Sequence, residues 1–359
     1  MTTPAIALLG RKDEPTDAVE QYCRFLGAAL RAHDIQLDIR RVPWEHHGWT
    51  DSLHALHLMA SQWRGHWVLV QYTALAWSKR GFPQRILRVL RILQRAGARI
   101  GIVFHDVEPF YADKFSAAVR RFLQVRVMRK LVRFSEFSIF TVPVERISWL
   151  APNTPRVLFI PDGPNLPIHE GVASSVSHVP PTVAVFSITG GPSGERETQT
   201  ITAALRFASE RLGPLRLLVF GRQSEVRESA LRSGLRDVPV QVSVEGVLPD
   251  EQLVQRFCDS DVLLFVRGGI SSRRGSAIAG IACGLPVIAS AGSETAPPIT
   301  DAGVVFVSLK NPDEINAALV RVLSDSAYRL ELAARSQAVF RDHLAWPVIA
   351  RQFAGKLRP

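Results

Sequence analysis

Two successive series of short apolar runs, each run followed by a longer helical pattern, limit this chain to very few folds. In the first half the runs are Ala5–Leu9, Leu37–Val42, Trp67–Gln71, Arg99–Phe104, Phe137–Val142 and Val157–Ile160. A helix is predicted over Asp17–Ala32, with Thr16 or Asp17 able to cap its first turn, and another from Pro83 to about Ala96, where Gly97 stops it. Strands that alternate with helices in this way form parallel sheets covered by helices on both faces, so the fold class is α/β. A turn cluster, Pro161-Asp162-Gly163-Pro164-Asn165, and a stretch rich in Ser, Gly, His and Pro that reaches Pro180-Pro181 interrupt the series. The alternation restarts at Thr182–Ile188, Leu215–Phe220, Val240–Val244, Val262–Val266, Pro286–Ala289 and Val304–Val307. The predicted organisation is a domain over 1–161, a linker over 162–181, a second domain over 182–335 and a terminal segment over 336–359. The stretch Tyr328–Phe353 reads as two helices broken near Ala345-Trp346-Pro347, where proline is acceptable in the first turn of the second. Two doubly wound domains hold ligands at the carboxyl ends of their strands, and a cleft between them is the expected site.

Length and composition agree with two cores: 359 residues, 47% hydrophobic and 21% charged. The opening MTTPAIALLGRKDEP has too short an apolar run for a secretory signal, and no stretch approaches the ~20 apolar residues of a membrane helix. A cytoplasmic protein is expected. Cys23, Cys258 and Cys283 are too few and too scattered for a disulfide framework or a metal site. The formal charge of +10 attracts polyanions, whether nucleic acid, anionic lipid or phosphorylated small molecules, or else serves solubility alone.

The segment Asp261 to Ser290 carries the chemistry. A strand over Val262–Val266 ends at a glycine-containing turn, and a helix of small residues opens behind Ser271-Ser272-Arg273-Arg274-Gly275-Ser276. A helix N-terminus presents unpaired N–H groups and the positive end of its dipole, which suits a phosphate. Arg273 and Arg274 add charge-assisted donors, and the hydroxyls of Ser271, Ser272 and Ser276 add neutral ones. Ala277, Ala279, Gly280 and Ala282 let the helix lie close to the sheet. The plain alternative is a serine cap beside two solvated arginines.

Ile278-Ala-Gly-Ile-Ala-Cys-Gly-Leu-Pro-Val-Ile-Ala289 resembles the donor-site segment of the family 4 glycosyltransferases, typically LEAMACGxPVIAS. Other pieces resemble that family in the expected order: Phe159-Ile-Pro-Asp-Gly163, Leu217-Leu-Val-Phe-Gly221, Val244-Glu-Gly246 with Pro249-Asp-Glu-Gln-Leu253, Asp261-Val-Leu-Leu-Phe265, and Val339-Phe-Arg-Asp-His-Leu-Ala-Trp346. The resemblance is strong over 157–353 and weaker over 1–156. It implies a GT-B architecture, two Rossmann-like doubly wound domains facing across a cleft, with the last helix crossing back to the first domain. It also implies sugar transfer from a UDP- or GDP-linked nucleotide-sugar donor to a hydroxyl acceptor, a glycan or lipid-linked intermediate. Retention of configuration, no metal ion and no further cofactor are implied as well.

The chain departs from that pattern where the family carries two glutamates separated by seven residues, because those positions fall on Ser271 and Ala279. A methyl group accepts no hydrogen bond, so recognition of the nucleoside must differ or be lost. Ser272, Arg273, Gly275 and Ser276 are the expected diphosphate contacts. Arg196, behind the loop Ser187-Ile-Thr-Gly-Gly-Pro-Ser-Gly194, falls near the family's usual lysine, although an ordinary strand–helix turn explains that loop equally well.

In the first half, His105 closes the run Arg99–Phe104, where the family often has a histidine beside the transferred sugar. It is the candidate catalytic group; the alternative is a histidine satisfied by backbone. Asp106 and Glu108 are acids either of which could serve the acceptor, and spacing does not choose between them. The charged loop Gly10–Asp17 stands where the family has a glycine-rich acceptor loop, which makes Asp17 a third acceptor-side candidate. Trp44, Trp49, Tyr72 and Trp77 lie near strand ends, where aromatic faces bind sugar or lipid or simply pack. Arg126, Arg129, Lys130 and Arg133 share one face of a predicted helix, with Val127, Met128, Leu131 and Val132 on the other. That face is either solvated or a peripheral contact for anionic membrane; no nucleic-acid motif accompanies it. The Asp259-Ser260-Asp261 triplet precedes its strand, away from the expected crevice, and reads as a turn rather than a metal site. Two rivals to a transferase remain, a nucleotide-sugar epimerase on the same fold and a non-catalytic nucleotide-sugar binding protein.

Overall fold

The computed structural model describes residues 2–14, 16–109, 115–168 and 177–358; residues 169–176 of the expected linker lie outside them. The chain divides into two compact units, Met1–Pro161 with Trp346–Pro359, and Asp162–Ala345. The turn cluster Asp162–Asn165 and residues 336–345 thus belong to the second unit, whereas the last helix belongs to the first.

The first unit contains β1 (Thr3–Leu9), α1 (Ala18–Leu30), β2 (Ile35–Arg41), α2 (Trp44–Ala60), β3 (Trp67–Tyr72), α3 (Ile86–Arg95), β4 (Arg99–Phe104), α4 (Phe115–Phe134), β5 (Phe137–Phe140) and β6 (Val157–Phe159). Its six strands form one parallel sheet in the order β2-β1-β3-β4-β5-β6. Every residue of β3 is buried, as expected of a parallel strand covered on both faces. Leu56, Leu90, Leu93, Met128 and Leu131 belong to one hydrophobic layer of this unit. Tyr22, Cys23, Leu26 and Leu30 of α1 form another with Ile349, Phe353 and Leu357 of the terminal helix.

The second unit contains β7 (Thr182–Phe186), α5 (Gly191–Leu212), β8 (Leu215–Phe220), α6 (Ser224–Leu235), β9 (Val240–Val244), α7 (Asp250–Cys258), β10 (Val262–Gly269), α8 (Gly275–Ala282), β11 (Val287–Ser290), β12 (Val304–Phe306), α9 (Pro312–Ser324) and α10 (Ser326–Val339); α11 (Trp346–Leu357) ends the chain. Its parallel sheet has the order β12-β11-β10-β7-β8-β9. The α8 helix lies so close to β10 that a Cβ on Gly280 would stand 2.5 Å from a Leu263 methyl.

Each expected strand is present, with bounds that shift by a few residues. The informative shift is in β10, which runs through Arg267 to Gly269 instead of stopping at Val266. Gly268 and Gly269 look like a turn in the sequence, but they accommodate a register shift against β11 in which Gly269 pairs with Ser290. The strand therefore carries Arg267 to the carboxyl edge of the sheet.

Both sheets reverse their winding direction at one place, between β1 and β3 in the first and between β7 and β10 in the second. Ligands of open α/β sheets bind outside the strand carboxyl ends at such a switch point.

Candidate functional site

In the second unit the end of β10 and the loops beyond β8 and β10 gather arginines. Arg222 follows β8, Arg267 lies two residues before the end of β10, and Arg273 and Arg274 lead into α8. Arg273 is closed off by Glu294 beyond β11, which takes its Nε at 2.7 Å and its Nη2 at 2.8 Å. Ser271, fully buried, donates its hydroxyl to the same carboxylate at 3.2 Å. Burial opposes the Glu294 charge, but the hydrogen bond and charge of Arg273 outweigh it and hold the carboxyl below its usual range. A carboxylate thus stands beside Ser271, supplied by a residue 23 positions later.

Arg267 and Arg274 are in the opposite condition. Each is half-buried, and the Nε of each is buried with no hydrogen-bond partner among the described residues. Burial works against the charge of both; neighbouring Arg222 adds to this at Arg267, and Arg273 and Arg267 add to it at Arg274. Arginine stays protonated in proteins, so these are partly desolvated cations; the charge of Glu294 favours that of Arg274, though its hydrogen bonds go to Arg273 and Ser271. The nearest acid sensed by Arg267 is Glu197, whose carboxylate already accepts the backbone N–H of Thr189 at 2.8 Å. The amino end of α8 adjoins them: Arg274 occupies its cap position, and no side chain caps it. Gly275 and Ser276 supply the first N–H groups of that helix.

Asp162 packs on the same loop, its N–H donating to the Ser272 carbonyl at 2.9 Å. Burial pushes its carboxyl up to about 7, an effect that nearby Arg273 partly offsets. Ala279 is buried within α8. Arg196 lies exposed on the first turns of α5 and donates to the Ser193 hydroxyl at 3.1 Å. Of the expected donor-side residues, Ser271, Ser272, Arg273, Gly275 and Ser276 are thus gathered in one loop and helix start. The triplet before β10 is engaged in structure. Asp261 accepts the backbone N–H of His178 at 3.1 Å and of Thr182 at 2.7 Å, and Asp259 pairs with Arg256 at 3.1 Å.

In the first unit, His105 stands at the end of β4, half-buried, with Nε2 2.9 Å from the Gln71 Oε1. The Gln71 amide donates to the Leu69 carbonyl at 3.2 Å, so its oxygen faces His105 as acceptor and Nε2 carries the imidazole proton. The Tyr22 ring meets the imidazole edge-on at 4.8 Å. Asp106 accepts the Ala74 N–H at 2.8 Å, and Glu108 accepts the Ser148 hydroxyl at 2.7 Å. Asp17 caps α1 through the N–H groups of Val19 and Glu20 at 3.1 and 3.0 Å and pairs with Arg41 at 3.0 Å. All three acids hold local structure, and His105 is joined to β3 through Gln71.

Sequence reasoning did not single out Arg222, Arg267, Glu197, Glu294 or Gln71. Arg267 was hidden by the glycine pair after it, and Glu294 comes to the site through the pairing of β10 with β11. Gln71 was concealed inside an apolar strand, where a buried amide with two partners was the signal.

No family model and no curated protein sequence matches the chain. Solved structures do. Sucrose-phosphate synthase from Thermosynechococcus elongatus superposes with a TM-score of 0.71 at 18% identity, covering 99% of this chain and 98% of that one. HepE of Anabaena, in complex with UDP and glucose, gives 0.66 at 14% identity, with 99% of each chain covered. A Listeria monocytogenes protein assigned as a UDP-N-acetylglucosamine 2-epimerase gives 0.58 at 10% identity, covering 98% of this chain and 95% of that one. The fold is therefore the GT-B architecture of two Rossmann-like sheets. No helix among the described residues is long and apolar enough to cross a membrane.

Proposed function

We propose that this protein is a glycosyltransferase that moves a sugar from a nucleotide-sugar donor, UDP- or GDP-linked, to a hydroxyl acceptor. The observation that carries the reading is the pair of buried guanidinium Nε atoms, on Arg267 and Arg274, with no hydrogen-bond partner among the described residues, beside the amino end of α8. Glu197 is the acid that Arg267 senses, while Arg273 and Glu294 pair with each other. A diphosphate brings the missing negative charge and acceptor oxygens, and charge-assisted hydrogen bonds are the strong ones. In the transfer, the bond between the anomeric carbon and the diphosphate oxygen breaks and a bond to the acceptor oxygen forms. The acceptor hydroxyl loses its proton, and the leaving diphosphate keeps the electron pair. Preorganised cations lower the barrier by stabilising the charge that grows on the leaving group. His105, with its proton fixed on Nε2 by Gln71, is assigned to the transferred sugar.

UDP in the bound HepE structure supports a UDP-linked donor. Retention of configuration follows from the family 4 resemblance. A metal-independent reaction is supported by the use of Asp259 and Asp261 in structural bonds. The acceptor is read as a glycan or lipid-linked intermediate, reached by peripheral contact with anionic membrane. Support comes from α4, where Arg126, Arg129 and Arg133 are exposed beside Phe122, which is 64% exposed, while Val127, Met128 and Leu131 are buried.

A thermal-shift series with UDP, GDP, ADP and their sugars tests the donor assignment, because a ligand selective for the folded state raises its stability. One diphosphate should raise the melting temperature; no shift with any of them would overturn the reading. The epimerase neighbour gives a second reading on the same donor site. Epimerised nucleotide sugar formed without any acceptor would select it, and binding without turnover of any donor would leave a binding protein. Co-sedimentation with anionic vesicles that is lost at high salt is the expected sign of the α4 contact.

A further inference from the structure

The first unit holds a hollow of about 530 Å³ that none of the assignments above uses. Its walls are the segment that follows β2, with Trp44 and Trp49, and the segment that follows β3, with Trp77, Lys79, Arg80 and Arg85. It therefore opens beyond the carboxyl ends of β2 and β3, the two strands that flank β1, near the switch point of that sheet.

Its aromatic wall is fixed by hydrogen bonds. Trp44 donates its indole N–H to the Ala76 carbonyl at 2.9 Å, and Trp77 donates to the Gln71 carbonyl at 2.9 Å. Trp49 stacks on Trp44 with ring centres 5.1 Å apart and planes 9° from parallel. A kink at Gly48, with φ +74 inside α2, sets the backbone direction just before Trp49. Trp77 and Trp44 are buried, their N–H groups already spent, and they back the half-buried Trp49, whose ring supplies the apolar face. Trp77 also ties the hollow to the strand residue that holds His105, since Gln71 supplies both bonds.

The charge on this wall is one-sided. Glu45 is its single acid, and it already pairs with Lys79 at 3.2 Å and Arg11 at 3.7 Å. Arg85 stands 5.6 Å from the Trp49 ring centre, and the Arg80 side chain meets no acid among the described residues. Three lining cations against one carboxylate leave the hollow positive, beside a flat aromatic surface. Sites for small molecules occupy about 300–1,000 Å³, so the volume suits a short saccharide and not a folded partner. A sugar ring packs its C–H face on an aromatic ring, and an acidic group on that sugar satisfies exposed guanidinium groups.

We propose that this hollow binds a saccharide unit bearing a carboxylate or a phosphate. Its assignment as the acceptor rests on the transferase reading above; the binding itself does not. The probes are a glucuronate-containing disaccharide, glucose 1-phosphate and neutral cellobiose, each titrated calorimetrically into the full chain without nucleotide. At least one acidic probe should bind about tenfold more tightly than cellobiose, and Arg80→Gln with Arg85→Gln should erase the difference, as expected for charge-assisted bonds. Both arginines are exposed, so the variant keeps its core. Equal or absent binding of acidic and neutral sugars, or a preference that survives the double substitution, would overturn the proposal. So would binding to phosphatidylglycerol vesicles through Arg80 and Arg85 without binding to the acidic sugars. Arg267→Ala with Arg274→Ala should leave saccharide binding intact, which keeps failure of the donor assignment distinguishable from failure of this one.

Discussion

The carboxyl ends of the two sheets use charge in opposite ways. At the first, the candidate acids Asp17, Asp106 and Glu108 each accept hydrogen bonds from neighbouring protein groups, and Asp17 also meets Arg41. At the second, Arg273 is closed by Glu294, and two guanidinium Nε atoms stay buried with no hydrogen-bond partner among the described residues. A protein tolerates a desolvated cation poorly, since the cost of burying a charge is returned only by a partner. The contrast favours the second edge as the place for an anion, whereas the first spends its candidate acids on holding loops.

The sharpest way to break the comparison is to remove the unpaired cations. Arg267→Ala with Arg274→Ala should weaken UDP binding by about a thousandfold, from two charged hydrogen bonds, with uridine binding almost unchanged. Calorimetry on both ligands checks it, and an equal loss for the nucleoside would mean that the pair does not face phosphate. Next in size is His105→Ala, expected to lower the transfer rate by about a hundredfold while UDP affinity holds, as for a group acting on the reacting sugar. Unchanged turnover would place His105 among the structural residues of its sheet.

Asp162 tests how strongly burial governs the second edge. Its carboxyl titrates near 7 in the folded chain and near 3.8 when unfolded. Between those values the unfolded chain has lost a proton that the folded chain keeps, so stability falls as pH rises across the window and levels off above it. Asp162→Asn should remove that fall, a gain on the order of 4 kcal/mol at pH 8 and none near pH 3.5. Thermal melts of both proteins at the two pH values decide it; equal gains would point to an uncharged cause.

The smallest expected effect carries an opposite sign. Glu294→Gln should tighten UDP binding by roughly fivefold, because it frees Arg273 for phosphate and removes a negative charge. Weaker binding in that variant would show that Glu294 is needed to place Arg273, so that the pair works as a unit.

Local pattern in the chain was enough to determine that there are two parallel α/β sheets. Each strand is a short apolar run bounded by turn residues, and burial on both faces makes such runs hydrophobic throughout. The loop from Ser271 to Ser276 was legible for a similar reason, since hydroxyls, arginines and small helix residues are contiguous. What only the tertiary structure decided is which charges remain unspent. Arg273 and Arg274 are neighbours in sequence, yet one is closed by Glu294 and the other is left buried with an open Nε. That difference depends on β11 lying beside β10, and on a strand that runs on through two glycines to carry Arg267 to the edge. Likewise, Gln71 finds His105 because β3 pairs with β4. Strand registry brings residues tens of positions apart to hydrogen-bonding distance, and periodicity along a single chain holds no record of it.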